Sequence, residues 1–312
     1  MENNLNGVLL LNKPVGISSQ TAVFKVKKLL NSKKAGHLGT LDPLASGVLP
    51  ITVGKSTRLF DYFLNKTKTY KAVFAFGFTT DTLDCEGKVL ETKKQNLSLE
   101  EIKNVLKNFI GDLQQLPPKY SAKNINGQKA YNLARAGVEF ELKPKKITIF
   151  NIKAEEVDEK LKNISLNNFK KFNKDKNKET ILNKFFNNLF AFEIECSAGT
   201  YIRSLCRDIA TALGTVGTMV CLNRTSCGDF KLEDCISFDD VLNGNFQILK
   251  PEEVINLEKL EIDKMQAKKL LCGQDVEINF VGQKKLFCKD EFLGIASSKN
   301  GKLKIDTYLL ED

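Results

Sequence analysis

The chain has one histidine, and none of its eight cysteines stands in a C-x-x-C pair. With one histidine and no such pair, no Cys/His set is spaced for zinc, so no zinc site of that kind is expected. Cys85, Cys196, Cys206, Cys221, Cys227, Cys235, Cys272 and Cys288 therefore read as reduced thiols used mostly as small core residues. No run of 18 apolar residues occurs, so no membrane-spanning helix is expected. The opening Met-Glu-Asn-Asn-Leu-Asn lacks the basic start and apolar core of a signal peptide, and a cytoplasmic location is the expectation. A glycine-rich Walker loop is missing too. Acidic residues are scarce in one region above all. Between Lys13 and Lys71, eleven Lys/Arg face only Asp42 and Asp61. Such surroundings favour the charged form of an acid and attract a polyanion.

What is present suits a folded protein. The 312 residues, 42% hydrophobic, can bury a sizeable core in one large or two domains. The net charge of +9 is uneven. Residues 160–190 carry eight Lys against Asp175 and Glu179, whereas residues 244–312 carry eleven Lys against twelve acids. The Lys13–Lys71 stretch is thus the better candidate for a nucleic-acid surface.

Alternating and 3.6-residue patterns predict mixed strands and helices around one sheet, an α+β fold with a mainly antiparallel sheet. Gly7–Leu11, Val48–Val53 and Leu189–Cys196 read as strands, and Tyr70, Ala72, Phe74, Phe76 and Phe78 as one aromatic strand face. Ser19 reads as the cap of a helix over Thr21–Leu30, and Ser56–Leu64 as a further helix. Ser98 and Glu101 form a capping box, and Gly214 closes a helix over Tyr201–Leu213. Between Asn163 and Asn188, 14 of 26 residues are Lys or Asn. Residues 155–190 therefore read as an insertion, either surface drift or added RNA contact. Val276–Phe280, Lys285–Cys288, Phe292–Ser297 and Lys302–Leu309 suggest a small β module over 246–312, with Asn300-Gly301 as a hairpin turn.

The most informative segment is Gly36-His37-Leu38-Gly39-Thr40-Leu41-Asp42-Pro43-Leu44-Ala45-Ser46-Gly47. It closely resembles the central motif of the TruB family of tRNA pseudouridine synthases. Leu10-Leu11-Asn12-Lys13-Pro14-Val15-Gly16, Lys68-Thr69-Tyr70, Asp81–Gly87, Pro117–Ala122 and Gly199–Leu205 resemble further blocks of that family, in the same order. The resemblance runs from about residue 7 to residue 230. It implies a pseudouridine synthase catalytic domain over 1–245 and a PUA-like tail over 246–312. It also implies isomerisation of uridine 55 in the tRNA T loop, without cofactor, metal, guide RNA or obligatory protein partner, by a monomer.

The resemblance assigns roles residue by residue. Asp42 is the catalytic nucleophile, an ionised carboxylate at the sugar or the base. Arg203 pairs with it in a two-point geometry that Lys cannot reproduce. Tyr70 stacks on the target base, or else is a core aromatic of its strand. Leu222 lines the pocket, ahead of an L-R-R block that here reads Leu222-Asn223-Arg224. His37 helps hold the flipped loop, or is structural. Lys13, Lys68, Lys119, Lys123 and Lys129 are RNA contacts, the last three in a Lys119–Val138 segment, with Asn126 and Gly127, that closes over the RNA arm. A tRNA chaperone and a guide-RNA-dependent relative are the rival readings.

Overall fold

A computed structural model describes residues 5–309 apart from Asn65, Asn126 and Lys174. Asn126, expected in the RNA-closing segment, lies outside the described residues. In chain order the strands of the first body are β1 (Gly7–Lys13), β2 (Ala35–His37), β3 (Ser46–Val53), β4 (Lys68–Phe76), β5 (Phe78–Thr80), β6 (Val89–Thr92), β7 (Gly111–Gln115), β8 (Asn124–Ile125), β9 (Gln128–Lys129), β10 (Lys145–Glu156), β11 (Leu189–Cys196), β12 (Gly217–Cys227) and β13 (Phe230–Lys231). The main sheet runs β1-β3-β12-β4-β11-β10-β7, with β2 added on β3 and β13 on β12. Its pairings are antiparallel except a short parallel contact of β3 with β12.

The central strands β3, β4 and β12 are mostly buried, as strands covered on both faces are, whereas β7 and β10 carry exposed polar positions. In β1, Leu9 and Leu11 face the main core, while Val8 and Leu10 face a second cluster. In β4 the aromatic positions meet β11, where Phe74 stacks on Phe192 at 4.4 Å. The helix Ile202–Ala212 packs against β12 and β4 and ends at Gly214, whose φ is +71°. The expected capping box holds: Ser98 Oγ accepts from Glu101 N–H, and Glu101 accepts from Ser98 N–H. The span expected as one helix over Ser56–Leu64 divides into a 3₁₀ turn, Gly54–Leu59, and a short helix, Phe60–Leu64.

Residues 155–190 are not surface drift. They complete β10, form the helices Glu159–Phe172 and Lys178–Phe185, and lead into β11. Composition misleads here because most of the described Lys and Asn occupy outer faces. Ser165 and Phe169, then Ile181, Leu182 and Phe185, fall at helical spacing on inner faces and are buried. Phe169 meets Phe78 edge-on at 5.5 Å and Phe186 at 5.3 Å. Phe185 lies over Gly77, where an added Cβ would come within 2.5 Å of its ring.

The last part of the chain forms a four-stranded sheet, β14 (Lys259–Ile262), β15 (Gln283–Cys288), β16 (Glu291–Lys299) and β17 (Lys302–Tyr308), in sequential order. Asn300 and Gly301 both have positive φ, 54° and 75°, as a two-residue hairpin turn requires. Val276–Phe280 is not a strand. It crosses the hairpin end, joined by one bridge from Glu277 to Lys302, and β14 takes the fourth place in the sheet. This sheet has its own apolar cluster, yet Ile295 and Leu309 pack with Val8, Leu10 and Leu38 of the first body.

Candidate active site

Asp42 stands in the loop between β2 and β3, and the chain fixes that loop from several sides. The Leu41 N–H donates to Ser19 Oγ at 2.8 Å, and Ser19 Oγ donates back to the Leu41 carbonyl at 3.0 Å. The helix cap expected of Ser19 falls on Ser18, which accepts from Thr21 N–H, so the helix starts one turn position earlier and Ser19 faces the loop. Gly16 N–H donates to the Pro43 carbonyl at 2.8 Å, and Leu41, Leu44 and Ala45 are buried. Arg224, 1% exposed, reaches beneath: its guanidinium donates to the carbonyls of Val48, Gly39 and Thr40. Gly47 lets β3 approach β12, since an added Cβ would lie 2.2 Å from the Arg224 carbonyl oxygen.

Arg203 occupies the first turn of the helix Ile202–Ala212. Its Nε and Nη2 grip the two oxygens of Asp42 at 3.0 and 3.1 Å. Nη2 also donates to the Tyr120 carbonyl at 3.0 Å, and Nη1 to the Thr82 carbonyl at 2.9 Å. Asp84 Oδ2 sits 3.2 Å from Nη1. Two carboxylates thus share one guanidinium, but unequally. The Asp84 side chain is 5% exposed and that of Asp42 33%. Burial works against the Arg203 charge, but Asp42 and Asp84 outweigh it and raise its pKa above the ordinary value. Burial likewise raises Asp84 above the ordinary carboxyl range, against the pull of Arg203 and Thr82. The arrangement leaves Asp42 as the accessible carboxylate, oriented at two points.

Lys13 feels the charge of Asp42, while His37 and Tyr70 feel that of Arg224, which props the same loop from below. Tyr70 is 8% exposed on β4, directly across from Arg224 on β12. Burial pushes its hydroxyl up to about 12, so it stays protonated at neutral pH. Leu222, buried, lies across from Ala72. Asn223, standing where the family block has its first Arg, pairs with Ser46 and Lys71 across the sheet. His37 lies on β2 rather than in a loop, paired with Ile51. Burial, then Arg224, lowers its pKa, and its Nδ1 is buried without a hydrogen-bond partner.

The lysines divide. Lys13 is fully buried, and its ammonium donates to the carbonyls of Pro14 and Ile17 at 2.9 and 2.8 Å. Desolvation brings its pKa down to about 8, with Asp42 opposing. It therefore braces the turn that holds the loop of Asp42, whereas the sequence had suggested an RNA contact. Lys68 is also buried, its Nζ on the Lys66 carbonyl, with desolvation lowering its pKa. Lys119 and Lys129 are exposed, and Lys123 donates to the Lys143 carbonyl at 3.2 Å. Sequence reasoning missed Asp84, Ser19 and Arg224 as parts of the site. Asp84 was within a recognised block, and an acid two residues after Thr82 in the short Asp81–Gly87 run was the available signal.

The N-terminal domain of TruB family pseudouridylate synthases matches residues 27–202. The chain belongs to the TruB family. A tRNA pseudouridylate synthase B C-terminal domain matches residues 203–261. The tRNA pseudouridine synthase B of Clostridium tetani is 37% identical, over 98% of this chain and 100% of its own length. That of Aquifex aeolicus is 35% identical over 96% and 98%. The fold is also that of a Cbf5-Nop10-Gar1 complex structure, with TM-score 0.67 at 23% identity over 97% of this chain and 85% of the other. As a TruB family member the protein is a pseudouridine synthase, an isomerase. Among the described residues no helix is long and apolar enough to cross a membrane.

Proposed function

We propose that the protein converts uridine 55 in the T loop of tRNA to pseudouridine, acting alone in the cytoplasm with Asp42 as nucleophile. The observation that carries this reading is the Asp42 carboxylate, held at both oxygens by Arg203 yet one-third exposed. Its full-length relatives carry the name tRNA pseudouridine synthase B, which supports tRNA as the substrate.

The net reaction breaks the bond from ribose C1′ to uracil N1 and makes one from C1′ to C5. The proton on C5 is released and N1 gains one, so no oxidant or energy source is consumed. Asp42 attacks the nucleoside and becomes covalently attached, freeing the base to turn. Arg203 holds the carboxylate at its attack angle, and Asp84 with the Thr82 and Tyr120 carbonyls keeps the guanidinium from following the substrate. Tyr70 offers a ring to the extracted base, where stacking contributes about 1–3 kcal/mol, comparable with the cost of extraction. Leu222 supplies apolar wall. His37, on β2, occupies the space the base leaves. Lys119 and Lys129 lie exposed for the phosphates of the T arm.

Release of tritium from [5-³H]uridine tRNA measures the reaction directly. Asp42→Asn should fold and bind tRNA but release no tritium. A clean preparation of this variant that turns over at an appreciable fraction of the normal rate would sink the assignment. A T-arm hairpin with its seven-base loop should react nearly as fast as whole tRNA, because RNA of this kind is read through loop shape and the flipped base.

A further inference from the structure

The helix Glu159–Phe172 touches the active site's supports at three places. Ser165 Oγ and Asn168 Nδ2 lie 3.3 and 3.2 Å from Cys221 Sγ, next to Leu222. Just beyond the helix, Asn173 Nδ2 donates at 3.0 Å to the carbonyl of Gly87, which ends the loop carrying Asp84. Phe169, fully buried, anchors the middle. A helix seated this firmly holds its exposed residues in fixed positions. At its C-terminal end Lys171 is exposed, and its ammonium lies 3.6 Å from where a Cβ on Gly16 would stand. Gly16 in turn is hydrogen-bonded to Pro43, the neighbour of Asp42. Among the described residues Lys171 enters no ion pair; its ammonium lies 5.3 Å from the ring of Phe172. The cation is thus placed beside the loop of Asp42 with no carboxylate paired to it among the described residues.

We infer that Lys171 binds a backbone phosphate of the RNA beside the flipped uridine, so that the Lys/Asn-rich segment is part of the substrate surface. The inference rests on the proposed function. A nucleotide seated on Asp42 must leave its flanking phosphates outside the pocket, at the rim. Lys171 meets them there, beside Gly16. A helix C-terminus is also a favourable place for a cation, so the charge does not strain the helix.

The test is tRNA binding and turnover by Lys171→Gln and Lys171→Arg across a salt series, with Lys184→Gln as the control on the neighbouring helix. Removing one phosphate contact should reduce the slope of log affinity against log salt by about 0.7–0.9. KM should rise several-fold at moderate salt while kcat changes little, and Lys171→Arg should restore both. An unchanged slope in Lys171→Gln overturns the inference, as does an equal loss in Lys184→Gln, which would mean general attraction only. If the wild-type protein releases no tritium from tRNA, the proposed function fails instead, and the two failures are told apart.

Discussion

Phe169→Ala tests whether residues 155–190 belong to the core. The ring is fully buried, edge-on to Phe78 at 5.5 Å and to Phe186 at 5.3 Å. Phe78 continues the β4 direction past Gly77, and Phe185 closes the other side at 6.0 Å from Phe78. Neighbours from the facing helix end and a strand cannot all move into the space vacated, so the substitution leaves a cavity rather than a collapse. Such a change costs about 3–5 kcal/mol. For a chain of this size each kcal/mol lowers the melting temperature by about 2 °C, so a fall of about 6–10 °C is expected. Calorimetry on wild type, Phe169→Ala and Lys170→Ala measures it. Lys170 is exposed on the same helix, and its loss should stay within about 0.5 kcal/mol. Equal melting temperatures for Phe169→Ala and Lys170→Ala would refute the packing argument and return the segment to the surface.

Arg203→Lys keeps the charge but cannot bridge both oxygens of Asp42 while holding Asp84 and two carbonyls, so tritium release should drop by about 10²-fold, the order expected of a small misplacement. Near-normal turnover would show that the two-point grip is dispensable. Arg224→Met strands the carbonyls of Gly39, Thr40 and Val48, each at a cost of about 1–3 kcal/mol if left buried and unpaired; stability and turnover should fall together, and a variant that lost neither would remove Arg224 from the account. Lys13 has a folded pKa of about 8 against 10.5 in the unfolded chain. The unfolded chain is therefore the better proton binder between these values, and the cost of burying the cation, complete below pH 8, lifts as pH rises. The stability of wild type relative to Lys13→Met should grow from pH 8 to pH 10 in denaturant titrations; a flat difference would mean that the ammonium is not desolvated.

Local signals were legible where one residue type has one structural use. Leu189–Cys196 is a strand at the expected bounds, Ser98 and Glu101 cap each other, and Asn300-Gly301 turns a hairpin. Asp42 and Arg203, 161 positions apart, were paired by resemblance and meet at two hydrogen-bonding points. What was not legible depended on neighbours distant in sequence. Whether Lys13 faces water or the protein is decided by the carbonyls of a turn and the loop of Asp42, which charge counting cannot see. Ser18 and Ser19 are equivalent as letters, and only the position of Leu41 tells them apart. In residues 155–190 the abundance of Lys and Asn obscured a buried face of few residues, whose partners Phe78 and Gly77 lie far upstream in the chain. Val276–Phe280 carries a strand-like pattern, but the hairpin ends where it crosses, so no second row of partners is available.

Leu309 packs with Val8 and Leu10, and Arg58 donates to the Tyr308 carbonyl across 250 positions. The cluster they complete also holds Leu38 and Val48, which flank the loop of Asp42. During synthesis the N-terminal strands therefore wait for their last partners. At about 5–20 residues per second, that wait is on the order of 15–60 s. Until then one face of β1 and β3 is uncovered, and the catalytic loop lacks part of its floor. Ordering by contacts this distant is slow compared with forming a helix or hairpin. A nascent chain still on the ribosome thus carries strands whose apolar face stays uncovered until the C-terminal sheet is made and can close over the strands made first.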